Sequence, residues 1–411
     1  MKSLKRFVSI VVTIAVCMAT AAENQGKEMQ MNTDEEVKMS EKGERIGFMV
    51  PEKIYAVVGR EINIYFRNLV TVINPDMLAF EVNTKLGRTD AARWYCVPTA
   101  EQVGEHKMVV SVWNDDGKIA EAETTLVVVP ANAGEGKELV LLEIGASCMA
   151  AGGHGDALWQ RFQASGNPKL TMLGSHAPGY GAVQPGGPAN EAYGGWTWTT
   201  FFEKTKTNNL ANDGLHPARP TDVPSPFLFQ KDGAFTFDFA QYLDKVCGGR
   251  KPDVVLFELG VNGMFLDKTD EEVNQHLANR ILPYMKKMME EIKRVVPNVK
   301  LGVELIPTGA ASQDAFGKNY GTSQSRRRWL RNAYLLHRCY EENAAELGYE
   351  LVPAYVNFDC VHNYPQLLVP AYEGSTIQVK TVTNALHPTR EGYGQWADSE
   401  FFWLKYIIDK K

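Results

Sequence analysis

Five short apolar runs, at 139–144, 170–173, 254–259, 301–306 and 351–353, set the tightest limit on how this chain folds. They alternate with stretches of helical spacing, of which three are long. The first, 270–296, opens with the capping box Thr269-Asp-Glu-Glu272, and 323–347 and 390–408 follow. Strand and helix in repeated alternation predict an α/β domain over 139–411, with a five-stranded parallel sheet covered on both faces. Such sheets bind their ligands at the carboxyl ends of the strands, so the residues just after each run are the ones to read for chemistry.

After the first run comes Gly145-Ala146-Ser147-Cys148, which puts a serine in a small-residue turn leading towards a helix at about 156–164. The serine is either an exposed nucleophile, favoured by the positive potential of the following helix, or simply a cap of that helix. After the third run, Gly260-Val261-Asn262-Gly263 brings a carboxamide to the same edge; it suits a developing oxyanion, and Asn-Gly is also a common tight turn. Between them a loop rich in Gly and Pro, 174–195, ends in Glu191-Ala-Tyr193-Gly-Gly195-Trp196-Thr-Trp198. A loop of that length inside a compact domain is functional or disordered. Its close offers a backbone N–H to an anion and an aromatic stacking surface, or else indoles that pin a helix to the sheet. Near the C-terminus, Asn384-Ala-Leu-His387-Pro388 opens the last helix, and the proline fixes the chain beside the imidazole.

Taken together, a serine after the first strand, a glycine in the second loop, an asparagine after the third strand and a histidine before the last helix resemble the block order of the SGNH, or GDSL-type, hydrolases. The resemblance spans about 138–408, and the sequences around Gly195-Trp196-Thr197-Trp198 and Leu386-His387-Pro388 are similar to secreted carbohydrate esterases of that family. It implies a flavodoxin-like three-layer α/β/α sandwich, Ser147 as nucleophile and His387 as general base. It further implies an oxyanion hole from the N–H groups of Ser147 and Gly195 with Asn262, and no metal or organic cofactor. Tyr193, Trp196 and Trp198, with the segment 309–321, would then face an acylated carbohydrate.

The chain departs from the family pattern where Ala146, Gly263 and Asn384 stand in place of acids. The last position matters most, because an acid there holds the imidazole tautomer, although a carboxamide does so in cysteine proteases. Asn384, a backbone carbonyl or Asp359 is therefore expected to orient His387, unless the site has decayed into a glycan-binding surface. An esterase acting on sialic acid, peptidoglycan or lipid is the other alternative. Asp213-Gly-Leu-His216 repeats the Asp-x-x-His spacing but falls out of block order, and Cys148 is expected to point inward.

Upstream, short alternating runs at 61–66, 108–113 and 124–129, separated by turn residues, predict a small all-β, immunoglobulin-like sandwich over 45–130, joined by a linker at 131–138. Residues 23–44 are polar and aperiodic and read as a flexible leader. Lys2, Lys5 and Arg6 before the apolar run 7–18 and Ala19-Thr-Ala-Ala22 read as a signal peptide over 1–22. Val16 before Cys17 argues against a lipid-modification site. An exported protein without a membrane span follows. A net charge of −6 on 411 residues gives no electrostatic footprint for nucleic acid. The five cysteines beyond the leader, an odd number without a C-x-x-C pair, suit scattered thiols with at most one or two bridges rather than a zinc site. Oligomeric state is left open.

Overall fold

The computed structural model describes residues 46–205 and 223–410. The segments read as signal peptide and leader, with Cys17, and the Asp213-x-x-His216 spacing lie outside the described residues. The described residues pack as one compact unit.

Its first part consists of β1 (Lys53–Val57), β2 (Ile62–Tyr65), β3 (Ala79–Asn83), β4 (Arg88–Thr89), β5 (Arg93–Cys96), β6 (Gly104–Asn114) and β7 (Gly117–Val129). They make a four-stranded sheet ordered β1-β7-β6-β3 and a three-stranded sheet ordered β2-β5-β4. Only β1 and β7 pair in parallel. The long β6–β7 hairpin closes where Asn114 Oδ1 accepts the Asp116 N–H at 2.9 Å and Gly117 takes φ +130°, a backbone that favours glycine.

The apolar runs become β8 (Glu138–Gly145), β9 (Lys169–Leu173), β11 (Val254–Glu258), β12 (Lys300–Glu304) and β13 (Glu350–Val352), with a two-residue β10 (Glu191–Ala192) before β11. Every pair is parallel, and the full strands lie in the order β9-β8-β11-β12-β13. That is the 2-1-3-4-5 order of a doubly wound sheet. The sheet therefore has six strands where five were expected. The extra one, Glu191-Ala192, carries no apolar run to mark it, and it pairs with Ile144 and Gly145 where β9 has already ended.

The helices used below are α1 (Ser147–Ala150), α2 (His154–Phe162), α3 (Val261–Met264), α4 (Asp270–His276), α5 (Leu282–Val295), α6 (Gln313–Tyr320), α7 (Arg326–Leu347) and α8 (Arg390–Asp409). One face of the sheet meets α8, whose Trp403 ring fills the space above Gly302 so closely that a Cβ there would come within 2.4 Å of it. The other face meets α7 through Tyr340, whose hydroxyl donates to Leu259 O at 2.9 Å. The expected helix 270–296 is continuous but not uniform, because α4 runs through a π-helical turn, Leu277–Ile281, into α5. Pro283 sits just after that turn, and a proline has no N–H to continue an i−4 ladder. Residues 131–136 form successive tight turns whose Ala131 carbonyl accepts the Lys405 ammonium at 3.0 Å.

Buried carboxamides tie the first part to the α/β layer. Asn68 Nδ2 donates to Tyr355 O at 2.7 Å and Phe358 O at 2.6 Å, while its Oδ1 accepts from Thr308 Oγ1 at 3.1 Å. Asn357 Oδ1 accepts the backbone and side-chain N–H of Asn63, each at 3.0 Å. Truncating Asn68 would leave two buried carbonyls unpaired. Asn68→Ala is accordingly expected to lower the unfolding free energy by about 2–4 kcal/mol, read from urea melts monitored by circular dichroism.

Candidate active site

The site is built at the carboxyl edge of the parallel sheet. Register brings its parts together, since Gly145 of β8 pairs with Glu258 of β11 on one side and Ala192 of β10 on the other. The residues that follow these three, Ser147, Asn262 and Gly195, share one rim. Ser147 is the first residue of α1, and its Oγ lies 2.8 Å from His387 Nε2. Both residues are half-buried, so the pair is reachable from solvent.

His387 is delivered by the loop before α8. Asn384 Oδ1 accepts the N–H groups of Leu386 at 3.1 Å and His387 at 2.9 Å, an Asx turn that fixes the backbone carrying the imidazole. Thr389 caps α8 by accepting the Gly392 N–H at 3.2 Å. Asp359, the carboxylate considered at long range for His387, is committed elsewhere. It accepts from the N–H groups of Val361 and His362 and pairs with His362 Nδ1 at 2.8 Å. Cys148 points inward as expected; its thiol donates to Leu386 O at 3.7 Å, and burial pushes its pKa up.

Asn262 sits in the first turn of α3, and its Nδ2 donates to Trp196 O at 3.0 Å. That bond anchors the amide to the Gly194-Gly195 turn and leaves its second N–H proton without a partner among the described residues. Gly195 takes φ +82°, so the turn depends on a glycine there. The turn is fastened from below, because Tyr193 N–H donates to Gly145 O at 3.0 Å and Gly194 N–H to Tyr180 Oη at 2.7 Å. A small cleft lined by Ser147, Asn262, Pro307, Trp329 and Leu386 opens at this rim.

The expected aromatic stacking surface is corrected by the structure. Tyr193 is 5% exposed, Trp196 2% and Trp198 0%. Tyr193 stacks on Trp196 with ring centroids 4.2 Å apart, and Trp198 donates to Tyr340 Oη at 3.0 Å. The rings pack the loop onto the sheet, which is where apolar aromatics gain most from leaving water. The segment 309–321 is likewise occupied largely by helix α6 rather than by an open loop.

Two carboxylates at this edge were not anticipated. Glu191 is fully buried and accepts from Ser175 N–H at 2.7 Å, Ser175 Oγ at 2.8 Å, Tyr193 Oη at 2.6 Å and Tyr242 Oη at 2.9 Å. Burial nevertheless holds its carboxyl above the ordinary range. Its four bonds clamp both ends of the loop that supplies Gly195. Glu258, at the end of β11, accepts the Ala146 N–H at 3.0 Å and the Met149 N–H at 3.3 Å through one oxygen, so it cradles the turn that presents Ser147. Burial, aided by the neighbouring Glu304 charge and opposed by these N–H bonds, pushes its pKa up to about 8. The available sequence signal was an acid within each of three apolar runs, Leu142-Glu143-Ile144, Phe257-Glu258-Leu259 and Val303-Glu304-Leu305. All five described cysteines, Cys96, Cys148, Cys247, Cys339 and Cys360, are free thiols.

No protein-family model and no curated protein matches this chain. Among solved structures it is similar to a family 3 carbohydrate esterase of Clostridium thermocellum, at 16% identity and TM-score 0.36, covering 67% of this chain and 97% of that one. It is also similar to phospholipase A1 from Streptomyces albidoflavus NA297, at 12% identity and TM-score 0.34, covering 64% and 98%. An extracellular lipase from Streptomyces rimosus matches at 11% identity and TM-score 0.34, covering 64% and 99%.

The cradle under Ser147 has a direct test. Glu258→Gln keeps an oxygen acceptor in place of a carboxyl that is already largely protonated near neutral pH, so it should melt within about 1 kcal/mol of the parent, whereas Glu258→Leu strips the acceptor and should cost about 1–3 kcal/mol in urea titrations.

Proposed function

We propose that this protein is an exported serine esterase of the SGNH type that removes O-acetyl or similar acyl groups from a polysaccharide or oligosaccharide. The observation that carries the reading is the 2.8 Å contact between Ser147 Oγ and His387 Nε2 at the sheet edge. A serine hydroxyl is a weak nucleophile until a base within hydrogen-bond reach takes its proton. His387 accepts that proton as Ser147 Oγ attacks the ester carbonyl, forming the Ser–C bond and driving the carbonyl electron pair onto oxygen. The oxyanion would be met by the N–H groups of Ser147 and Gly195 and by the free N–H of Asn262, donors worth about 3 kcal/mol each. His387 then gives the proton to the departing sugar oxygen. Water, deprotonated by His387, releases the acid and restores the serine.

In this reading Asn384 is a positioning residue, since its carboxamide oxygen holds the backbone of His387 at 2.9 Å. The sugar specificity is an inference from the motif resemblance, and the buried state of Tyr193, Trp196 and Trp198 removes those rings as a stacking surface for it. We read the two sheets of the first part as an immunoglobulin-like sandwich that braces the catalytic layer.

Acetate release from a chromogenic acetyl ester and from a pool of acetylated polysaccharides tests the proposal. Ser147→Ala should reduce kcat by roughly 10⁴-fold or more, and Asn262→Ala by about 10²–10³-fold. A parent protein that turns over neither substrate, with activity appearing only in Asn384→Asp, would instead favour a glycan-binding role. Activity on the chromogenic ester alone would move the substrate to a different class of ester.

A further inference from the structure

One face of the parallel sheet carries Glu143, Glu258 and Glu304, and against it α2 presents His154 and α8 presents Glu400. None of the five is more than 1% exposed. No lysine or arginine forms an ion pair with any of these glutamates among the described residues; Arg161, the nearest candidate on α2, is spent on Asp398 at 2.6 Å. Carboxylates shut away from water must be paired, neutralised or bound to a metal.

The polar atoms converge. One ligand atom from each of Glu143, His154 and Glu400 lies within 4.8 Å of the others, and His154 Nε2 stands 3.1 Å from Glu400 Oε1. Two donors bound side by side on one ion at about 2.0–2.2 Å are themselves about 3 Å apart, and opposed donors about 4.4 Å. The 3.1 Å between His154 and Glu400 matches the first spacing, and Glu143 lies within 4.8 Å of both. Nδ1 of the fully buried His154 has no hydrogen-bond partner among the described residues and its Nε2 faces Glu400, while neither carboxylate oxygen of Glu143 has a hydrogen-bond partner among them. A buried imidazole aimed at carboxylates with no donor or acceptor otherwise engaged is an unsatisfied ligand set.

From this convergence we propose that Glu143, His154 and Glu400 bind a divalent transition ion, zinc or manganese, between the sheet and helices α2 and α8. Two carboxylates balance the charge of such an ion with a neutral imidazole, and the mixed nitrogen and oxygen donors suit zinc or manganese better than magnesium. Glu304 flanks Glu400 and is itself held by Trp396 Nε1 at 2.8 Å, which orients the cluster. The ion is structural. It lies in the core rather than in the cleft by Ser147, and its existence does not depend on the esterase reading.

The full chain, expressed without a histidine tag, should retain about one equivalent of zinc or manganese by inductively coupled plasma mass spectrometry after extensive dialysis. Unfolding and refolding in EDTA should lower the melting temperature, and adding Zn²⁺ or Mn²⁺ during refolding should restore it. Glu143→Gln and His154→Gln should each lower the bound metal roughly tenfold or more, while Ser147→Ala, inert as an esterase, should keep it. Less than about 0.1 equivalent in the parent, both as purified and after refolding with either metal, with a melting temperature indifferent to EDTA, would overturn the proposal even if neither ligand variant folds. Full metal content in a folded Glu143→Gln or His154→Gln would overturn it too.

Discussion

The closure of α2 and α8 over a face of glutamates governs the rest of the molecule. Ser147 lies just before α2, and His387 just before α8. The 2.8 Å approach of their side chains therefore depends on how those two helices seat. The helices meet each other, through Arg161 with Asp398, Phe162 against Phe401 and His154 with Glu400, and α8 meets the sheet through Trp396 Nε1 on Glu304. A loss of a few tenths of an ångström there would be passed to the rim, because packed interiors are stiff. Glu258 links the two levels physically: its backbone belongs to the sheet, its carboxylate holds the serine turn, and its neighbour Glu304 faces α8.

The carboxyl rim shows how little of such a site has to be made by side chains reaching across space. Ser147, Gly195 and Asn262 are neighbours because Ala192, Gly145 and Glu258 stand side by side in the register of three parallel strands. What remains is local fastening. Glu191 with four donors, Tyr180 on Gly194, Trp196 O on Asn262 and Asn384 on the N–H of His387 each immobilise one short turn. Glu191, the one of these groups that is fully buried, has every carboxylate oxygen satisfied, which is the condition under which such networks add rigidity rather than cost.

The pattern of apolar runs and long helices made the parallel sheet legible, since doubly buried strands leave a signature that neither loops nor surface strands share. The contact of Ser147 with His387 was legible from block order. Direction was harder. Whether Tyr193, Trp196 and Trp198 face substrate or sheet depends on where a twenty-residue loop is pinned, and the pin is Glu191, an acid whose partners are separated from it by up to 51 residues. The same holds for Asn384, whose place in the motif suggests a partner for the imidazole ring while its oxygen is taken by backbone two and three residues on. An acid inside an apolar run is visible, but its meaning is set by the register that puts Glu143, Glu258 and Glu304 on one face and by the helices that cover them. Neither of those can be counted off from spacing alone.

Ser147 and His387 are 240 residues apart in the chain. Closing a segment of that length costs entropy that must be met by contacts formed at the same time, and those contacts belong to α8, whose Tyr406 ring also packs on Tyr55 of β1 at 4.7 Å. A ribosome releasing the chain from its N-terminal end can complete β1 to β13 while the imidazole has not yet been synthesised. Ser147 and His387 can thus meet only after the 240 residues that separate them have been made, so the rim is the one part of the sheet edge whose two halves are synthesised far apart in time.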